Sequence, residues 1–310
     1  MWYSKEIRIF LIFCILPLCI ICKAQYHPQN SQYMFNGLAL NPAYAGSQEV
    51  LSLATFYRSS QWGKSFEGAP VTYTFSGDFP LRNPQLALGL LVYNDRISIL
   101  RQTGTYFAYS FRVKTGEKGR LSFGLQAGFD LLREDQTDLF LVHKQDDLFH
   151  LEKHNTFMPN VGVGAYYYTP DLFVGLSLPQ LLAYSPNTAG SYKGKLTLSN
   201  TKLYGGTTLF SASGDFKVKP STLLQYTGKG VLFDLNCNIL MLKDKFEFGL
   251  SWRNKNTLVV MAQVRVQSLW IGYAYDYAIG IPSAVNTSHE IMLRYDFRIR
   301  VNAAHPLYLK

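Results

Sequence analysis

Three things are scarce in this chain of 310 residues: cysteine, with 4 residues; charge, at 16% Asp, Glu, Lys and Arg; and long apolar runs, of which there is one. Cys14, Cys19 and Cys22 fall inside or just behind that run, so only Cys237 stands in the remainder and no internal disulfide can staple it. No basic run occurs, which gives a nucleic-acid partner no footprint. Beyond the first 24 residues no stretch approaches the ~20 apolar residues of a spanning helix. The motifs GxSxG, HExxH and GxxxxGK[ST] are all missing. Ser288, His289 and Glu290 are adjacent, but neighbours on a strand point to opposite faces, so they cannot converge as a hydrolase site. No catalytic residue, metal site or cofactor site is therefore expected.

The single apolar run, Ile9–Ile21, follows Lys5 and Arg8 and precedes Cys22-Lys23-Ala24, with Gln25 next. This is the layout of an export signal covering 1–24. Leu18 and Ile21 stand where a lipoprotein signal needs a small residue. Removal of the signal leaves 27 basic against 20 acidic residues, net about +7. An exported chain without a spanning helix can enter a membrane only as a closed β-barrel, because lipid offers no partner to unpaired backbone groups.

Aromatic residues make up 15% of the chain, with 21 Tyr and 21 Phe, and the mean hydropathy is near zero at −0.02. The apolar residues alternate. Leu121, Phe123, Leu125, Ala127 and Phe129 share one face, opposed by Ser122, Gly124, Gln126, Gly128 and Asp130. Val231, Phe233, Leu235, Cys237 and Ile239 oppose Asp234, Asn236 and Asn238. Phe246, Phe248, Leu250 and Trp252 oppose Glu247 and Arg253. Ile291, Leu293, Tyr295 and Phe297 oppose Glu290, Arg294 and Asp296. This period of two is that of a half-buried strand. A soluble sandwich shows it too, but these strands run to roughly ten residues or more, beyond the usual five or six. The polar face also carries recurrent glycine and charges of both signs: Arg112, Asp130, Asp234, Arg253, Arg265, Asp276, Arg294 and Asp296. A charge on the lipid face costs ~2–4 kcal/mol near midplane, so these eight are expected in the lumen.

Fourteen strands are expected, near 50–59, 69–80, 84–94, 103–114, 119–132, 158–169, 171–178, 200–213, 216–226, 230–241, 244–253, 257–266, 268–277 and 288–299. Alternate connections are short. The intervening ones include 95–102, 133–157, 179–199 and 278–287, although two others, 227–229 and 254–256, are short. Short turns face the periplasm and long loops the exterior in barrels of this kind. The expected architecture is thus an all-β transmembrane barrel over 50–299, with a periplasmic or plug segment at 25–49 and a periplasmic tail at 300–310. The 133–157 loop holds His143, His150 and His154 without metal-ligand spacing and reads as a solvated loop. Arg58 and Trp62 border the first outward loop, which Phe66, Glu67, Gly68, Ala69 and Pro70 close; the cluster fits a protein-binding surface or an interfacial aromatic belt. Asn94-Asp95-Arg96 reads as a turn with a charge pair.

SQYMFNGLALNPAYAGS, at 31–47, fits neither an amphipathic helix nor a strand. Tyr33, Met34, Phe35, Leu38 and Leu40 need apolar cover, while Asn41-Pro42 and Ala45-Gly46 are turn signals. The segment, with Tyr44, is expected to begin on the periplasmic side and to fold into or against the lumen. Together with YRSSQWGKSFEGAPVTYTFSGDFPL (57–81), LALGLLVYNDRIS (86–98), IGYAYDYAIG (271–280) and SHEIMLRYDF (288–297), it resembles the PorP/SprF family of Bacteroidota outer-membrane proteins. Asn30 and Gly37 depart from that pattern, where an aromatic and a proline are frequent. The resemblance implies a non-enzymatic outer-membrane component of type IX secretion. It implies as partners the secretion machinery and the C-terminal domain of cargo such as gliding adhesins, with outer-membrane lipid around the barrel. A passive channel or small-molecule transporter is the alternative, and a soluble β-rich adhesin a third class.

Overall fold

The computed structural model describes residues 30–60, 68–135, 153–186, 192–210, 216–254, 256–280 and 286–297. In chain order the strands are β1 (Leu51–Ser59), β2 (Val71–Pro80), β3 (Leu86–Ile97), β4 (Leu100–Thr115), β5 (Gly119–Asp135), β6 (Lys153–Tyr168), β7 (Leu172–Leu178), β8 (Leu182–Pro186) and β9 (Tyr192–Leu196). They continue as β10 (Thr201–Thr207), β11 (Leu209–Phe210), β12 (Lys217–Tyr226), β13 (Val231–Met241), β14 (Phe246–Arg253), β15 (Thr257–Val266), β16 (Leu269–Ala278) and β17 (Thr287–Phe297). Every barrel strand pairs antiparallel with its sequence neighbour, β1 pairs with β17, and β7 pairs with β10 and β10 with β12, so fourteen strands close on themselves. Closure gives every barrel strand a partner on both sides, as lipid demands, although β6 meets β7 only over Val163–Tyr168.

Burial is inverted relative to a soluble sandwich. Phe107, Leu125 and Phe157 are 63%, 61% and 59% exposed on the outer face, whereas Arg112, Asp130, Asp234 and Glu290 are buried inside. That inversion is what a lipid solvent demands.

The registers refine the expected boundaries. The β3–β4 connection is only Ser98-Ile99, so Asn94 and Asp95 lie within β3 rather than in a turn. Asn94 Nδ2 donates to Thr103 Oγ1 (2.7 Å) and Thr72 Oγ1 to Asp95 Oδ1 (2.6 Å), which carries both strands past the expected turn. β5 and β6 likewise extend the ladder to Asp135 and Lys153, shortening the connection expected at 133–157. His143 and His150 lie outside the described residues. The 179–199 connection contains the hairpin β8–β9, paired with itself and apart from the barrel. The strand expected over 200–213 breaks at Thr208, whose N–H donates to Asp171 O (2.7 Å), and resumes as β11.

Two ends result. At one lie the connections 81–85, 116–118, 169–171, 242–245 and 267–268, together with Leu51 opposite Phe297. At the other lie the longer connections, including the β7–β10 excursion, together with the short ones at 98–99, 227–230 and 254–256.

Candidate functional site

The lumen is occupied by the chain's own residues 30–47. A 3-10 turn over Tyr33–Phe35, a single helical turn α1 (Gly37–Leu40) and a second 3-10 turn over Pro42–Tyr44 make a compact insert. Asn41 starts the last turn by accepting from Ala43 N–H (2.9 Å), with Pro42 supplying the fixed φ that the first helical position favours. Tyr33, Leu38, Leu40, Ala43 and Ala45 are buried.

The insert runs opposite to expectation. Its beginning, not its end, lies toward the long-loop side: Asn30 faces Thr74, and Ser31 and Gln32 meet Glu290 and Asp276 in the loop-side halves of β17 and β16. Its end reaches the short-turn side, where Gly46 N–H donates to Asp78 Oδ2 (2.7 Å) and Gly46 O accepts from Arg112. The chain therefore descends through the barrel before β1 climbs back. Strand order does not reveal this, because a segment before β1 can approach it from below or through the lumen.

Two kinds of attachment hold the insert. At its start, the Glu290 carboxylate accepts consecutive backbone N–H groups, Ser31 (2.7 Å) and Gln32 (2.9 Å), and Ser31 Oγ donates to Asp276 Oδ2 (2.5 Å). Asp276 is held by Arg58 (2.8 Å) and lies 3.8 Å from Arg253, which pairs with Asp234 (3.0 Å), so the latch rests on a charged belt over β1, β16, β14 and β13. Arg253 also lies over the Tyr33 ring at 5.8 Å. Burial, reinforced by Asp234, pushes the Tyr33 hydroxyl well above the ordinary phenol range, and burial raises Tyr44 too, so both remain neutral; Tyr33 accepts from Asn236 Nδ2 (2.7 Å) and Tyr44 from Gln48 Nε2 (2.6 Å). At the middle and end, Asn41 Nδ2 donates to Ala165 O (2.9 Å), Ser177 Oγ to Leu40 O (2.6 Å) and Ser110 Oγ to Ala45 O (2.8 Å). Glycine on the lumen face makes this approach possible: a Cβ at Gly124 would overlap the backbone of Pro42 and Ala43, and one at Gly164 the Asn41 amide.

Of the residues singled out in the sequence, Tyr33, Met34, Phe35, Asn41, Pro42 and Tyr44 come together in this insert, and Arg58 joins it through Asp276. Trp62, Phe66 and Glu67 lie outside the described residues. The expected lumen charges all fall on the inward phase, in four settings. Arg58, Arg253, Asp234 and Asp276 form the belt. Asp130 accepts from the Tyr93 and Tyr106 hydroxyls (2.5 and 2.6 Å), and Arg112 holds Gly46. Arg294 and Asp296 pair at 2.9 Å beside Trp270, with Arg265 at the rim, 5.0 Å over the same indole. Sequence reasoning set Glu290 aside as a non-catalytic neighbour of His289, and the geometry separates them: His289 turns outward to the Tyr273 hydroxyl (2.7 Å) while Glu290 turns in. Its inward phase was the available signal for the latch.

The insert divides the lumen. A cavity of about 90 Å³ on the loop side is lined by Asn30, Gln180 and Lys202, and one of about 370 Å³ on the short-turn side by Tyr44, Tyr168 and Glu247; Tyr33 and Leu40 line both. Inward from β7, Pro179 and Gln180 reach Gln126 (2.6 Å) and Tyr106 (3.1 Å), narrowing the loop-side half further.

These features define the class: an outer-membrane β-barrel of fourteen strands whose lumen is filled by its own N-terminal segment. Residues 22–295 match the profile of the type IX secretion system membrane protein PorP/SprF, and the chain belongs to that family. A search of curated proteins finds no match. Among solved structures the chain is similar to the toluene transporter TodX of P. putida (TM-score 0.51, 8% identity, 89% of this chain and 96% of that one). It is also similar to the monoaromatic hydrocarbon channel CymD (0.49, 13%, 89% and 95%) and to Omp33 of Acinetobacter baumannii (0.47, 8%, 80% and 96%). At these identities the likeness concerns the barrel alone.

Proposed function

We propose that this protein is a non-enzymatic outer-membrane component of type IX secretion that serves export or surface attachment of cargo proteins. Gliding adhesins of Bacteroidota, held through their C-terminal domains, are the expected setting. The observation that carries the reading is family membership over nearly the whole chain, and a lumen occupied by the chain itself supports a protein-handling barrel over an open pore. In this reading residues 1–24 are removed on export, the short turns face the periplasmic machinery, the tail at 300–310 lies with them, and the outward loop with Trp62, Phe66 and Glu67 meets cargo. Deleting the gene and comparing secreted and surface proteomes tests it. Loss of at least one exported or surface-held protein is expected, and unchanged proteomes refute it.

A passive channel is the second reading, favoured by the two cavities on either side of the insert. Planar bilayers separate the two: the intact protein is expected to be silent and a variant lacking residues 25–47 to conduct. Stable conductance by the intact protein would favour the channel.

A further inference from the structure

The short-turn-side cavity contains a buried carboxylate that no cation of its own wall contacts. Glu247 on β14 is 5% exposed. Its two carboxylate oxygens accept from neutral amides, Asn238 Nδ2 and Gln263 Nε2, each at 2.7 Å, and among the described residues no cation lies within 4.0 Å of it. The two other ionic residues on the cavity wall do not change this: Arg294 is committed to Asp296 at 2.9 Å, and Lys219, across β13, makes no ion pair with Glu247. A buried carboxylate held only by amides bears a desolvation cost that an incoming cation would offset.

The opposite wall is aromatic. Tyr168 stacks on Tyr166 (5.2 Å between ring centroids), Tyr166 on Tyr204 (6.0 Å), and Phe173 tilts against Tyr204 (6.3 Å), with Tyr44 of the insert closing the row at 5.6 Å from Tyr166. Tyr44, Tyr168, Phe173 and Trp270 keep part of their surface open. Rings of this kind attract ammonium and guanidinium groups over their faces, and the cavity already shows the preference: the Arg294 guanidinium lies 5.4 Å over Trp270. At about 370 Å³ the space is within the range of ligand pockets. It reaches the short-turn rim at Thr169, Pro170 and Thr208, and Tyr33, Met34 and Phe35 of the insert form its roof.

We propose that this cavity receives a lysine or arginine side chain of a periplasmic polypeptide, with Glu247 as its counter-ion and the tyrosine row as its cage. The inference rests on the reading that the short turns face the periplasm. An occupant would touch the insert from below, so a partner on that side would bear on the element that fills the lumen.

Purified full-length protein in detergent is titrated calorimetrically with acetyl-Gly-Lys-Gly-amide, its arginine and norleucine counterparts, and putrescine. A basic peptide is expected to bind at least tenfold more tightly than the norleucine peptide, and Glu247→Gln to erase that difference while heat-modifiable migration of the folded barrel persists. Equal binding of the norleucine peptide overturns the proposal, as does wild-type discrimination in Glu247→Gln; putrescine matching the better peptide overturns its assignment to a polypeptide. If Glu247→Gln does not fold, the lysine–norleucine comparison on the wild type still decides. Secretion lost on gene deletion, with no peptide discrimination, would leave the secretion reading standing and this one refuted.

Discussion

Replacing Glu290 should loosen the leading end of the insert while the rest stays attached. In the wild type both carboxylate oxygens accept backbone N–H groups, from Ser31 at 2.7 Å and Gln32 at 2.9 Å, in a site only 1% exposed. Glu290→Gln turns one acceptor into a donor facing an N–H group and removes the charge from the other contact. A hydrogen bond to a charged group contributes ~1.5–3 kcal/mol, so losing one and weakening the second should cost about 2–4 kcal/mol locally. At ~1.4 kcal/mol per tenfold, the detached population of residues 30–35 rises roughly 30- to 1,000-fold. Asn41 and Gly46 keep their own partners on β6, β2 and β4, so the barrel should hold. A reporter is available at Ala274, buried on β16 under Met34 and Phe35. With Cys237→Ala removing the free thiol on the outer face, Ala274→Cys should react slowly with a maleimide, and faster by that factor once Glu290→Gln is added. Labelling rates equal within a factor of about two, in barrels of equal thermal stability, would refute the latch.

Asn41→Ala removes two donors to Ala165 O and Leu176 O and the cap on Ala43, and should lower stability by about 1–3 kcal/mol in thermal unfolding. Gly164→Val should be at least as damaging, because the new side chain enters the space of the Asn41 amide; the insert should lose protection from protease while the strands still form. Leu250→Arg, on the outer face at 51% exposure, should cost about 2–4 kcal/mol if it sits near the bilayer midplane, read from folding into vesicles against urea. Asp234→Asn removes one of the two carboxylates that Arg253 faces, leaving Asp276 at 3.8 Å, and should cost ~1.5–3 kcal/mol; an unchanged midpoint would show this pair of the charged belt to be dispensable.

Alternation carried most of the architecture. A side-chain period of two, read on residues such as Asp234-Asn236-Asn238 against Phe233-Leu235-Cys237, assigns every strand residue to lipid or lumen without knowledge of its neighbours. Strand number, membrane class and the inward phase of all eight expected charges follow from it, because each is a property of single strands repeated. Turn positions were less legible. β3 runs on to Ile97, with Asn94 bonded to Thr103 on β4 and Asp95 to Thr72 on β2, polar pairs indistinguishable in sequence from a loop.

The sequence by itself thus determined that this chain is a barrel, which face of each strand looks inward, and that Tyr33 to Tyr44 needs cover. Only the tertiary structure decided the direction in which that segment crosses the lumen, the partners of Glu290 and Asp276, and the cavity around Glu247. Each of these depends on contacts between residues as much as 259 positions apart, such as Ser31 and Glu290. Local periodicity says which way a side chain points, but barrel closure alone sets what stands opposite it.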